Sequence, residues 1–211
     1  MDISTGRNYL DDALATFRDY KRLAEKAFAQ VSDEEFFVKL DEEANSIGII
    51  IKHMAGNMIS RWTDFLESDG EKPDRNRDME FMLAEDATRD ELLAYWERGW
   101  AQVFAAIEPL QPADLARRVY IRGKEHTVVE AINRQLTHYA YHTGQVVFLA
   151  KHLRSTEWQS LSIPRNKSAQ FNAYLAQSAT GAGADDPVRR SSSSRFDEPQ
   201  DFIRDSETER Q

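Results

Sequence analysis

Two histidines four residues apart, His138 and His142, stand in the segment HYAYHTGQ. Residues with this spacing lie one turn apart on the same face of a helix, so both imidazoles can reach a single metal ion. The spacing also suits two packing residues in a helical core, and it does not decide between these roles. A third donor on another element would favour the metal site.

A third histidine, His53, lies in the apolar segment IIIKHMAGNMISRW. Its helical azimuth places it beside the apolar stripe rather than at the centre, which is typical of the seam between two helices. Two roles stay open for it, a metal ligand or a partly exposed histidine hydrogen-bonded to a neighbour. His126 precedes a predicted helix and His152 lies near the end of one, and we assign structural roles to both.

The composition restricts the chemistry that the chain can perform. It contains no cysteine, so any metal must be bound by His, Asp or Glu, and any thiol nucleophile must come from a cosubstrate. The net charge of −9 argues against nucleic acid as a partner. Neither a membrane-spanning run nor a signal-peptide pattern is present, so the sequence predicts a cytoplasmic protein without a membrane partner.

Four long amphipathic helices are predicted from apolar side chains at three-to-four spacing, over about residues 7–30, 46–66, 88–109 and 127–153. The last two begin with the capping boxes TRDE and TVVE. The connector SDEEFFVKLDEEANS shows no sustained period, and SDGEKPDRNRD has the composition of a long surface loop.

The remaining segments are short or polar. LARRVYIRGKEH, broken at Gly123, predicts an irregular turn or a small hairpin before the fourth helix, and WQSLSIPRNKSAQFNAYLAQ predicts one short helix. From Ser178 onward the chain is small, polar and charged. The sequence thus predicts an all-α four-helix bundle over residues 1–177, with this insert and a small C-terminal helix, followed by a disordered tail over 178–211.

The histidine in the middle of the second helix and the pattern H-x-x-x-H-x-G-Q, from His138 to Gln145, resemble the DinB-like, or YfiT-like, superfamily of bundle proteins described as metal-dependent enzymes. The resemblance covers roughly residues 7–177, and KHMAGNMISRWTDFLESDGEKPDRNRD and WQSLSIPRNKSAQFN look like a branch without an assigned reaction. It implies that His53, His138 and His142 together bind a divalent ion, commonly zinc or nickel. A homodimer, common in the superfamily, stays open because no stripe demonstrates one.

Polar residues near the histidines are candidates for supporting roles. Asn57 and Arg61 follow His53 by one and two turns, and Gln145 keeps roughly the azimuth of His138. Arg61 could hold a substrate carboxylate, and Asn57 or Gln145 could orient a ligand or a bound water; each could also be an ordinary polar flank residue. No carboxylate is placed as a general base, and Gly144 is assigned to close helix packing.

Three neutral imidazoles leave at least one coordination position open, which is the layout of a catalytic site. Hydrolysis by metal-bound hydroxide and transfer of a metal-bound thiolate are both compatible with it. Superfamily members with assigned activity act through low-molecular-weight thiols such as bacillithiol, mycothiol or glutathione. The resemblance therefore implies a thiol S-transferase acting on a small electrophile. The alternatives are a metal-dependent hydrolase and a non-catalytic metal-binding or interaction bundle.

Overall fold

The computed structural model of the chain describes residues 2–180, which are mostly helical. This part contains six α-helices and one two-stranded sheet: α1 Ile3–Phe28, α2 Asp33–Phe37, α3 Ile47–Trp62, α4 Arg89–Ile107, β1 Arg118–Ile121, β2 Lys124–Thr127, α5 Val128–Arg154 and α6 Ser168–Thr180. Short 3-10 helices lie at Asp78–Phe81, Pro112–Ala116 and Ser155–Glu157. Among the described residues, no helix is long and apolar enough to cross a bilayer.

The chain divides into two units, Met1–Leu153 and Arg154–Gln211. The first contains the sheet and all three histidines singled out above. The second contains α6, which confirms the predicted small C-terminal helix. The polar tail predicted from residue 178 lies outside the described residues from 181 onward.

Side-chain caps set the starts of the long helices. The Ser46 hydroxyl accepts a hydrogen bond from the amide of Ile49 at the start of α3, and Thr88 forms a capping box with Glu91 at the start of α4. These starts confirm the predicted ones. Two other boundaries were predicted wrongly: α1 begins four residues earlier than expected, and α3 ends at Trp62 because the next residue is extended.

A short helix occupies part of the connector that shows no periodicity. Ser32 and Glu35 form a capping box that starts α2, and Phe36 is fully buried beside Phe28, with ring centroids 6.2 Å apart. Five residues are too few to display a helical period, so pattern analysis could not detect this element.

An aromatic core joins the four long helices of the first unit. The Phe17 ring of α1 lies 6.0 Å from Trp62 of α3, 6.3 Å from Trp100 of α4 and 5.7 Å from Tyr139 of α5, between centroids. The Tyr139 hydroxyl accepts from Trp62 Nε1 at 3.0 Å and donates to Asn57 Oδ1 at 3.3 Å. These buried hydrogen bonds fix α5 against α3, because leaving any of the groups unpaired would be costly.

The β1–β2 hairpin confirms the predicted insert and is attached to the segment that follows α3. Its two turn residues, Arg122 and Gly123, both have positive φ, as a two-residue type I′ turn requires. The Asp69 carboxylate accepts from both turn amides, at 2.8 and 2.6 Å, and the Gly70 amide donates to Tyr120 O at 2.8 Å.

The segment SDGEKPDRNRD was predicted to be a surface loop, and this is wrong for part of it. Gly70 is buried, and the Arg75 side chain is only 5% exposed. The following 3-10 helix, Asp78–Phe81, buries Glu80. Charged residues can be buried here because they pair with one another, a property that composition does not reveal.

Two glycines give a matched test of helix packing. A Cβ on Gly99 of α4 would lie 3.1 Å from Ala55 Cα in α3, whereas a Cβ on Gly144 of α5 would meet nothing within 4 Å. The packing role predicted for Gly144 is therefore wrong. We expect Gly99→Ala to lower the free energy of unfolding by about 1–3 kcal/mol and Gly144→Ala to raise it by about 0.5–1 kcal/mol, measured by urea denaturation. Equal effects of the two substitutions would contradict the close α3–α4 approach.

Candidate metal centre

Three imidazoles converge between α3 and α5. His138 Nε2 lies 3.3 Å from His53 Nε2 and 3.1 Å from His142 Nε2, and one nitrogen from each ring lies within 4.8 Å of the others. His53 is only 3% exposed, so it is a buried residue, not the partly exposed one that its azimuth allowed. The structure thus brings together the three histidines that the sequence pointed to.

In two of the rings the Nδ1 atom, which points away from the cluster, forms a hydrogen bond with an acceptor. His53 Nδ1 donates to Glu80 Oε2, and His142 Nδ1 donates to Gln145 Oε1, both at 2.8 Å. A proton held on Nδ1 leaves the lone pair of Nε2 free and directed at the other rings. These two partners therefore select the tautomer in which Nε2 can bind a metal.

The donor set fits a divalent ion. Zn–N bonds of about 2.0–2.1 Å in a tetrahedral site place ligand nitrogens about 3.3 Å apart. The separations of 3.3 and 3.1 Å from His138 Nε2 agree with this spacing. A single proton on His138 Nε2 can satisfy only one of the two lone pairs that face it, whereas a cation satisfies all three nitrogens at once.

Burial keeps His138 and His142 of α5 neutral. Burial, together with the neighbouring histidines, lowers the pKa of His138 to about 3. Burial also lowers the pKa of His142 to about 4, against the opposing effect of the hydrogen bond to Gln145. Both rings are therefore neutral at pH 7, which is the form that binds metal.

Glu80 is a site residue that the sequence reasoning missed. Arg75 donates to both of its oxygens, from Nε to Oε1 at 2.7 Å and from Nη2 to Oε2 at 2.9 Å. Burial would raise the Glu80 pKa, but the bonds from His53 and Arg75 outweigh it and the pKa is lowered. Because both oxygens are engaged, Glu80 positions His53 and is not a free base. It lies 27 residues along the chain from His53, in a segment without a recognisable motif.

Gly56 makes room for that carboxylate. A Cβ at this position would lie 2.6 Å from Glu80 Oε1, well inside contact distance. A glycine in the middle of a helix lowers the stability of that helix. At position 56 the absence of a side chain leaves the space that the Glu80 carboxylate occupies.

The other sequence candidates are engaged within the protein. Asn57 accepts the hydrogen bond from Tyr139, and Gln145 orients His142. Arg61 donates to Gly70 O and, at 2.7 Å, to Glu71 Oε2, so the carboxylate beside it is the protein's own. Of these three candidates, Gln145 alone forms a hydrogen bond with a member of the histidine cluster.

A cleft of about 790 Å³ opens beside the cluster. Residues of α3, the hairpin, α5 and the segment after α3 line it: His53, Asn57, Arg61, Arg75, Arg77, Arg122, His126, Glu130, Asn133, Arg134, Gln135, Thr137, His138 and Tyr141. A small molecule in this cleft would therefore reach two of the three histidines. His126 faces the same cleft but lies outside the three-histidine group.

Comparison with protein families identifies the chain only at a general level. A family model described as a protein of unknown function (DUF1572) matches residues 4–167, and the chain belongs to this family. The description names no reaction. No curated protein matches the chain.

Substitution of Glu80 tests its positioning role. Glu80→Gln removes the negative charge that pairs with Arg75 and places an amide NH₂ group against the Arg75 donors. The side chain at position 80 should therefore orient the His53 ring less firmly. We expect affinity for Zn²⁺ to fall about 10- to 100-fold, measured by competition with a chromogenic chelator. Glu85→Gln, an exposed position, is the control. Unchanged affinity in a Glu80 variant that melts like the wild type would contradict the role.

The lowered histidine pKa values predict how the stability of chelator-treated protein depends on pH. Between about pH 6.5 and 4 the unfolded chain binds protons on His138 and His142 that the folded chain excludes. The free energy of unfolding should therefore fall as the pH is lowered through this window. In the double variant His138→Gln/His142→Gln the fall should be shallower, measured by urea denaturation at each pH. An identical slope in wild type and variant would contradict the prediction.

Proposed function

We propose that this chain is a divalent-metal-dependent enzyme of the DinB-like superfamily that transfers or adds a low-molecular-weight thiol to a small electrophile. In this proposal α1, α3, α4 and α5 form a four-helix bundle, and His53, His138 and His142 bind zinc or nickel. The observation that carries it is the convergence of three Nε2 atoms, with the outer nitrogens of two rings already bonded to Glu80 and Gln145.

The donor set supports a catalytic role over a structural one. Three neutral protein ligands with an adjoining cleft leave room for an exogenous ligand, whereas structural zinc sites are closed by four protein ligands. A divalent ion held there would act as a Lewis acid and would lower the pKa of a thiol or water that meets it. Glu80 and Gln145 would hold two of the rings in place during the reaction, and the cleft would admit the electrophile.

The acids near the cleft favour the thiol reaction over hydrolysis. Glu80 is bonded on both oxygens, and Glu130, the one carboxylate among the lining residues, accepts from Thr127 at the start of α5. A thiol ionises close to neutral pH and needs little help from a general base. Since the chain has no cysteine, the sulfur must come from a cosubstrate.

The bond changes in such a reaction balance without a redox partner. The thiol sulfur forms a bond to the electrophilic carbon, while the bond to the leaving group, or one C=C π bond in an addition, breaks. The proton released by the thiol goes to the solvent when a halide leaves, and to the adjacent carbon in an addition.

The proposal is tested by thiol consumption with zinc- or nickel-loaded protein. The assay would combine glutathione, mycothiol or bacillithiol with a panel of activated alkenes and alkyl halides. We expect turnover by the wild type and a loss of at least about 100-fold in His138→Ala, because a site with two ligands binds metal poorly. His152→Ala, an exposed histidine outside the cluster, should retain activity.

Other outcomes would support other functions. Equal rates in wild type and His138→Ala would contradict the proposal. Histidine-dependent turnover of esters or amides in thiol-free buffer would identify a hydrolase instead. Metal binding without turnover of either class would favour a non-catalytic bundle.

A further inference from the structure

The cleft beside the histidines carries positive charge although the chain as a whole is acidic. Its lining includes one glutamate, Glu130, and five arginines: Arg61, Arg75, Arg77, Arg122 and Arg134. The net charge of the whole chain is −9. A concave site whose charge is opposite to that of the protein concentrates ligands that the rest of the surface repels.

Three of these arginines are paired with two glutamates behind the cleft. Glu71 Oε2 accepts from Arg61, Arg75 and Arg122 at 2.7, 3.1 and 3.2 Å. Glu80 accepts the bidentate pair of bonds from Arg75. The hydrogen bonds lower the Glu71 pKa to about 2, although burial opposes this, so the carboxylate is ionised. Except for Arg61 Nε, which lacks a hydrogen-bond partner, these charged groups pair with one another and form one wall of the cleft.

In the part of the chain that the structure describes, Arg77 and Arg134 have no such carboxylate partners. The nearest described carboxylate to Arg77 is Asp78, at 4.0 Å, where both side chains are at least half exposed. Among the described residues Arg134 forms no ion pair or hydrogen bond. Exposed arginines of this kind are common, but these two line the same cleft as two of the histidines.

Each of these two arginines lies near a member of the histidine cluster. The Arg77 guanidinium lies 4.9 Å from the centroid of the Phe81 ring, which stacks on His53 at 4.6 Å. Arg134 precedes His138 by four residues on α5, so both lie on one face of that helix. Both guanidinium groups therefore line the part of the chain's surface that adjoins the cluster.

A buried polar atom in the cleft wall also lacks a partner. Gln135 is 3% exposed and lines the cleft, and its Oε1 accepts no hydrogen bond from any residue that the structure describes. A buried carboxamide oxygen left unpaired costs free energy that a bound ligand can recover. A hydroxyl or amide hydrogen of a ligand would meet this need.

We infer that the cleft binds a small molecule with a carboxylate or phosphate group, which Arg77 and Arg134 hold while Gln135 accepts a hydrogen bond from the same molecule. Guanidinium groups bind both kinds of oxyanion in a planar, two-point fashion. As a statement about the substrate this rests on the proposed function, and it narrows the thiol or the electrophile to an anionic molecule. As a statement about binding it holds whether or not the chain is an enzyme.

The experiment uses the full chain after chelator treatment, so that an anion cannot bind to a metal instead. Succinate and inorganic phosphate are titrated separately by calorimetry at an ionic strength fixed with sodium chloride. We expect saturable binding of at least one of them, with a Kd of about 1 mM or below. We expect Arg77→Gln/Arg134→Gln to weaken that binding at least about tenfold. The preferred probe distinguishes a carboxylate ligand from a phosphate ligand.

A matched double variant controls for net charge. Arg98→Gln/Lys151→Gln removes the same charge from two exposed positions that do not line the cleft, and its Kd should stay within about twofold of the wild type. Thermal melts would establish that all three proteins are folded. Failure of both anions to bind the wild type, or equal weakening in the two double variants, would overturn the inference. Absence of thiol turnover with intact anion binding would count only against the proposed function.

Discussion

The structure of the site depends on one electrostatic constraint. The Nε2 atoms of three imidazole rings lie close together, and their lone pairs face one another. Nε2 atoms 3.1 and 3.3 Å apart repel one another unless something positive lies between them. Protonation of the rings is opposed, because burial lowers the pKa of both His138 and His142. A divalent cation would satisfy neutral nitrogens at this spacing.

The surrounding fold meets this constraint by fixing α3 and α5 in register. Tyr139 lies between His138 and His142 in the sequence of α5, and its hydroxyl is hydrogen-bonded to Trp62 and Asn57 on α3. Burial raises the pKa of Tyr139, so the hydroxyl stays protonated and can donate. These contacts place His53 of α3 opposite His138 and His142, and not opposite residues one turn earlier or later on α5.

A second set of contacts orients the rings within that frame. Glu80 accepts hydrogen bonds from His53 and Arg75. Glu71 in turn accepts hydrogen bonds from Arg75, Arg61 and Arg122. The network extends from the cluster to the β1–β2 hairpin. It immobilises three arginines as cleft wall, and it leaves the charges of Arg77 and Arg134 available at the cleft surface.

Much of the helical framework could be predicted because its signals are local. Ser46, Thr88 and Thr127 cap helices through residues three positions away, and the His138–His142 spacing is a property of one helix. The role of Glu80 could not be predicted, because its contacts to His53 come from a segment that looks like a solvated loop. The burial of His53 was underestimated for the same reason, since Phe81 of that segment stacks on it.

Elemental analysis of protein purified without a histidine tag tests the metal centre most directly. We predict about one equivalent of zinc or nickel per chain in the wild type and its loss in His53→Ala, His138→Ala and His142→Ala alike, because all three nitrogens would be ligands of the same ion. His152→Ala should retain the metal. A wild-type protein that stays metal-free after incubation with zinc and nickel, or metal that persists in all three variants, would contradict the metal centre.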